Sequence, residues 1–170
     1  MSSDPLEGYV PAHLRDDRAD EAPPWPADEV VPGLWQSGHP SPGEAWDAVF
    51  DLSGEEQPLE DVEFYVHWLI EDGPKPDRDT LISLADLVRS MHASGKRVLI
   101  HCAAGMNRSG LLSAAALIRE GYTADDAIAA VREARHGALN NPEFVDMLYE
   151  LWASGRHAAG AEPRASSTGS

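Results

Sequence analysis

The stretch Val98-Leu99-Ile100-His101-Cys102-Ala103-Ala104-Gly105-Met106-Asn107-Arg108-Ser109-Gly110 decides the fold of this 170-residue chain. Lys96 to Ile100 ends in a compact apolar run and reads as a central strand that runs directly into His101-Cys102. Ala103, Ala104, Gly105, Met106 and Asn107 then separate Cys102 from Arg108. Leu111 to Glu120 is rich in Leu and Ala, is stopped by Gly121, and reads as a helix. Strand, tight loop and helix in succession belong to an α/β sheet, where ligands bind at the carboxyl ends of the strands.

The position of the loop implies its chemistry. A tight turn at a helix amino terminus directs successive backbone N–H groups inward and makes a concave anion site. Gly105 permits a backbone angle that other residues resist. No residue from Ala103 to Asn107 is charged. Binding therefore falls to the N–H groups and to Arg108, whose planar guanidinium can grip two phosphoryl oxygens at once. Cys102 would face that anion as the nucleophile, reacting as the thiolate. Ser109 can donate a hydrogen bond to the sulfur. A lone cysteine is more often a small buried hydrophobe, so the surrounding pattern decides. His-Cys-x-x-Gly-x-x-Arg-Ser-Gly fixes enough positions that chance produces it in roughly one in 10⁵ chains of this size.

Outward from the loop, strands and helices alternate. Val30 to Gln36 reads as a first strand, Ala48 to Leu52 as a buried strand, and Glu63 to Ile70 as a strand rich in aromatic and branched residues. The last of these stops at Glu71-Asp72-Gly73-Pro74, a strong loop signal. Leu81, Leu84, Ala85, Val88 and Met91 set a helical stripe over residues 79–94, closed by Gly95. Thr123 starts a third helix that runs to about Arg135, with Asp126 completing an approximate capping box. Asn141-Pro142 opens a last helix to about Ala153. The expected fold class is α/β: a central, mostly parallel sheet flanked by helices on both faces, with the phosphate loop between a central strand and the following helix. Residues 1–28 read as a flexible, acidic and proline-rich arm, 29–154 as the catalytic domain, and 155–170 as a disordered tail.

Composition narrows the function. A formal net charge of −16 argues against nucleic acid or an anionic membrane surface as partner. No apolar run reaches the roughly 18 residues of a membrane helix, and the first residues hold no leader-like apolar segment, so the cytoplasm is the expected location. One cysteine allows neither an internal disulfide nor a multi-thiolate zinc site, and no metal or cofactor is expected.

The loop resembles the active-site signature of the protein tyrosine phosphatase superfamily, and the chain looks most like its small dual-specificity branch from about Val30 to Trp152. Val31-Pro32-Gly33-Leu34-Trp35-Gln36-Ser37-Gly38 resembles that family's opening strand. Val131-Arg132-Glu133-Ala134-Arg135 followed by Asn140 resembles its segment behind the active-site helix. The resemblance implies Cys102 as nucleophile, Arg108 as phosphate clamp, Ser109 as the aid to thiolate departure, His101 as a residue orienting the cysteine, and Asn140 as a buttress of the loop. It implies a phosphorylated protein or small phosphomonoester as substrate.

Displacing an alkoxide or phenoxide from phosphorus requires a proton on the leaving oxygen. Asp72, on the loop after a predicted strand and resembling the family's acid-bearing position, is the leading candidate. Glu71, Asp77 and Asp79 compete, although Asp79 is better read as a helix cap. The loop lacks the lysines of inositol-lipid phosphatases, which disfavours a polyphosphorylated lipid. His39 and Trp46 could line the pocket rim, but packing or simple exposure explains each as well. Two other functions fit the loop: a phosphate-binding pseudophosphatase with weak turnover, and a rhodanese-like sulfurtransferase, which needs no acid.

Overall fold

Val98–His101 forms strand β5, and all of its residues are buried. Burial on both faces is what a continuous apolar run demands, and it places β5 in the interior of a sheet. The computed structural model describes residues 26–40, 43–54 and 61–159. In chain order the other elements are β1 (Asp28–Val31), β2 (Leu34–Ser37), β3 (Ala48–Asp51), β4 (Phe64–His67), α1 (Arg78–Ala93), α2 (Arg108–Glu120), α3 (Ala124–Ala134) and α4 (Pro142–Ala159). The strands form one sheet in the order β1-β2-β5-β3-β4. β5 runs parallel to both β2 and β3, and β3 parallel to β4, while β1 pairs antiparallel with β2 at the edge.

That antiparallel edge corrects one expectation. Val30 to Gln36 is not a single strand but a hairpin turned by Pro32-Gly33, with Gly33 at φ 89°. Glu29 Oε1 accepts a 2.9 Å hydrogen bond from the Gly33 N–H and secures the turn. Proline followed by glycine is a turn pair in its own right.

Leu34, Ala48, Phe50, Val98 and Ile100 project from one face of the sheet into a core shared with all four helices, including Leu81 and Val88 of α1, Leu111 and Leu117 of α2, Val131 of α3, and Phe144 and Leu148 of α4. Each Val, Leu, Ile or Phe side chain among them, fully buried, contributes about 1.5–3 kcal/mol. Helices were expected on both faces. Among the described residues the helices gather on this one, and Val49 and Leu99 on the other face pack with Trp46, Trp35, Val62, Tyr65 and Ala27. Trp46 is thus a core residue, 4% exposed. Arg97 stacks on it, with the guanidinium carbon 4.2 Å from the ring centre.

Helix ends explain further differences. Asp77, not Asp79, caps α1: its carboxylate accepts from the Thr80 N–H at 2.8 Å and from the Thr80 hydroxyl at 2.6 Å. Thr123 caps α3 by accepting from the Asp126 N–H, as its spacing suggests. α4 continues to Ala159, past the boundary expected at 154. Asp28, assigned to the amino-terminal arm, is the first residue of β1. The remainder of that arm through residue 25, and the tail from residue 160, lie outside the described residues.

Candidate active site

Cys102 follows β5 directly, and its N–H donates to the Ser37 carbonyl at the end of β2. The loop from there to α2 is shaped by what its carbonyls do. The Ala104 carbonyl accepts from Arg135 Nη2 at 3.2 Å, that of Gly105 from Gln36 Nε2 at 2.9 Å, and that of Met106 from the Leu139 N–H at 3.2 Å. With three successive carbonyls drawn outward by groups on β2, α3's end and the segment after it, planar trans peptides present the opposing N–H groups to the loop's interior. The Gly105 N–H already points there, donating to Cys102 Sγ at 3.2 Å. A donor aimed at sulfur stabilises negative charge on it.

Gly105 is required twice over. Its φ is 69°, in the left-handed region, and a Cβ there would lie 2.3 Å from the Gly38 nitrogen and 2.4 Å from the Ser37 carbonyl carbon. Gly38 is similarly confined, since a Cβ on it would sit 2.9 Å from the Ala103 carbonyl oxygen. The loop therefore seats on bare backbone at the end of β2.

Ser109 Oγ lies 3.3 Å from Cys102 Sγ, and Ser109 is fully buried in the first turn of α2. Arg108 opens α2, and its Nη1 is 3.4 Å from the Ile70 carbonyl, on the segment that leads to Asp72. Asp72 itself comes to the loop: its Oδ2 accepts from Asn107 Nδ2 at 2.9 Å, and its Oδ1 from Asn141 Nδ2 at 3.0 Å. Asn140 also meets Asn107, accepting from its Nδ2 at 2.8 Å and donating its own N–H to Asn107 Oδ1 at 2.8 Å. Ala104, Met106 and Asn107 of the loop, with Asp72, Gly73, Asn140, Asn141 and Glu143, line a cleft of about 770 Å³. Glu71 is exposed beside Asp72, and Asp77 is committed to its helix cap.

His101 is fully buried and its ring makes no hydrogen bond to Cys102. Burial pushes its pKa down to about 4 despite the Asp51 carboxylate, whose Oδ1 is 3.8 Å from Nε2, and nearby His39 adds to the lowering. The ring is therefore neutral near pH 7. Asp51, its register partner on β3, accepts from the Ser53 N–H and hydroxyl, the Gly54 N–H and the Tyr65 hydroxyl. Burial works to raise the Asp51 pKa, but the Ser53 and Tyr65 donors outweigh it and hold the pKa below the usual value. Burial and the adjacent Asp51 raise the pKa of Tyr65. His39 is exposed, in the bend that follows β2.

Sequence reasoning missed Gln36, Arg135 and Asn141 as residues of this site. Gln36 was visible as a polar residue directly after the apolar Leu34-Trp35 pair, and it is fully buried. Arg135, 6% exposed, bridges the Ala104 carbonyl and Asp28, whose Oδ2 is 2.8 Å from Nη1. The Asn140-Asn141 pair was visible too, but only its first member was singled out.

Known proteins resemble this chain in sequence and in fold. The profile of the family described as "Dual specificity phosphatase, catalytic domain" matches residues 57–153. The chain is 35% identical over 99 residues to the human protein tyrosine phosphatase type IVA 3, covering 56% of this chain and 57% of that protein. It is also 35% identical over 86 residues to the Leishmania major protein tyrosine phosphatase PRL-1, covering 45% and 49%. The chain thus spans about half the length of these relatives. Among solved structures, Tk-PTP in its active form superposes with a TM-score of 0.65 at 28% identity, covering 75% of this chain and 96% of that one. Human DUSP28 superposes with a TM-score of 0.68 at 21% identity, covering 79% and 99%, a likeness of fold. The chain belongs to the dual specificity phosphatase catalytic-domain family. No helix among the described residues is long and apolar enough to cross a membrane.

Proposed function

We propose that this protein is a cysteine-dependent phosphomonoesterase of the protein tyrosine and dual-specificity type, acting in the cytoplasm on phosphorylated protein or small phosphomonoester substrates. The observation that carries the reading is the convergence on one loop of Cys102, with the Gly105 N–H on its sulfur, and of Asp72, held to the same loop by Asn107.

In this reading the phosphoryl group sits on the inward N–H groups of the loop, with Arg108 gripping two of its oxygens. The Cys102 thiolate attacks phosphorus, and the P–O bond to the leaving group breaks as a new P–S bond forms. Protonated Asp72 delivers its proton to the departing oxygen. Water then attacks the phosphocysteine while the Asp72 carboxylate takes its proton. The electron pair of the P–S bond returns to sulfur, where the Ser109 hydroxyl and the Gly105 N–H receive the charge. Inorganic phosphate leaves and the thiolate is restored.

The absence of lysine from the loop and the carboxylate of Glu143 in the cleft wall favour phosphotyrosine, phosphoserine or phosphothreonine over a polyphosphorylated headgroup. A sulfurtransferase would have no use for Asp72, and a binding module none for the Ser109 hydroxyl beside the sulfur. The test is hydrolysis of an aryl phosphate by the purified protein in the presence of a chelator. Turnover by the unaltered protein and its loss in Cys102→Ser are expected. Equal turnover by the two proteins would refute the reading.

A further inference from the structure

Asn107 stands at the N-cap of α2, where an asparagine ordinarily turns its side-chain oxygen onto an N–H of the first helical turn. It makes no such bond. Instead its amide is spent entirely on other partners, and their chemistry fixes which end is which. Oδ1 accepts from the backbone N–H groups of Asn140 at 2.8 Å and Asn141 at 3.0 Å, so the oxygen must face them. The amino group therefore faces Asp72 Oδ2 and Asn140 Oδ1. This amide is 7% exposed and all four of its hydrogen-bonding capacities are met.

Asn141 is oriented by the same logic. Its Oδ1 accepts from the Glu143 N–H at 3.0 Å in the first turn of α4, which turns its amino group toward Asp72 Oδ1 and the Gly73 carbonyl, each at 3.0 Å. Asp72 is an exposed residue outside any helix or strand. Its two carboxyl oxygens are nevertheless tied separately, one to the phosphate loop and one to the start of α4. Because Asn107 leaves the first N–H groups of α2 uncapped, those donors stay available to an anion in the loop.

We propose that Asn107 and Asn141 are positioning residues that hold the Asp72 carboxyl at the phosphate loop for proton delivery to the leaving group. This rests on the phosphatase reading above and adds the pair of amides that sets where the acid stands. Neither amide touches the reacting atoms; each acts through Asp72.

Leaving-group dependence tests it, because a strongly acidic phenol departs without a proton and a weakly acidic one does not. The probes are phenyl phosphate and dinitrophenyl phosphate, with kcat/KM measured for the unaltered protein, Asp72→Asn, Asn107→Ala and Asn141→Ser. Serine at position 141 still offers an oxygen to cap α4 but lacks the donor to Asp72. The phenyl-to-dinitrophenyl ratio is expected to fall about a hundredfold in Asp72→Asn, in keeping with the usual contribution of a general acid. It is expected to fall about tenfold in Asn107→Ala and Asn141→Ser, as misplacement of an acid still present. If Asn107→Ala does not fold, Asn141→Ser decides alone. Equal losses on both probes in the asparagine variants mean a merely structural role and overturn the proposal while leaving the phosphatase reading intact. An unchanged ratio in Asp72→Asn removes Asp72 as the acid and the proposal with it. Absence of turnover by the unaltered protein overturns both.

Discussion

The side-chain amide of Gln36, buried in β2, donates a 2.9 Å hydrogen bond to the carbonyl of Gly105 in the phosphate loop. The bond joins residues 69 positions apart and passes between buried groups, so no water replaces it when it is lost. Gln36→Leu keeps the approximate volume and removes the donor. It is expected to destabilise the fold by about 1–3 kcal/mol, the cost of a buried carbonyl left unpaired. It should also weaken inorganic phosphate as a competitive inhibitor, because the Gly105 peptide is freed to turn. Urea unfolding and inhibition constants check the two effects separately.

Gly105→Ala places a methyl where φ is 69° and where the Gly38 nitrogen lies 2.3 Å away. The backbone strain alone is of order 1–3 kcal/mol, and the clash can be relieved only by moving the loop off β2. The expected outcome is a folded protein by circular dichroism with turnover reduced at least about a hundredfold, the scale on which small misplacements of catalytic groups act. Near-normal turnover would show that the loop tolerates a second geometry.

His92 joins three parts of the fold. Its Nδ1 is 2.6 Å from Glu120 Oε1 at the end of α2, and its Nε2 is 2.8 Å from the Pro32 carbonyl in the β1–β2 turn. Both partners are acceptors, so the ring satisfies both only when doubly protonated. Burial works to lower the His92 pKa, but the Pro32 carbonyl and Glu120 outweigh it and leave it raised above the usual value. A raised folded-state pKa contributes stability that is complete below the unfolded value of about 6.5 and is lost as pH rises through the folded one. Unfolding free energy should therefore decline with rising pH across that window, and His92→Gln should flatten the decline. A decline that persists unchanged in His92→Gln would contradict this assignment.

His101 behaves in the opposite sense. With its pKa pushed down to about 4 by burial, it is neutral throughout the range in which His92 titrates. Proton NMR of the ring signals should show no His101 titration above about pH 5–6, given a transition centred near 4. A His101 midpoint at the ordinary value would mean that Asp51 and His101 form a closer ion pair than their 3.8 Å separation describes.

Much of the fold was legible because apolar runs and turn residues coincide. Val98 to Ile100 could only be a central strand, and Gly95 and Gly121 mark helix ends that the structure keeps, both at positive φ. Pro32-Gly33 is a turn pair, but the apolar residues on either side of it also fit a single strand, and the structure resolves the two into a hairpin. The distribution of helices between the two faces was not legible. A strand buried on both sides has the same sequence whether helices or the side chains of Trp46 and Tyr65 cover it.

Within the site, the local motif was readable and the long-range ties were not. Cys102, Arg108 and Ser109 are bound to one another by spacing across a single strand-to-helix turn. The approach of Asp72 to the loop was within reach of inference, because the proposed chemistry asks for an acid and the segment after β4 offers a carboxylate. Gln36, Arg135 and Asn141 meet the loop only through the sheet order and the packing of α3 and α4, which no spacing encodes.

The central claim is that Cys102 carries the phosphoryl group during turnover. The most direct measurement mixes the unaltered protein with dinitrophenyl phosphate, quenches with acid within milliseconds, and analyses the peptide that contains Cys102 by mass spectrometry. The account predicts one added phosphoryl group on Cys102, formed in a burst and absent from Cys102→Ser. Turnover that proceeds with an unmodified Cys102 peptide at every quench time would contradict it.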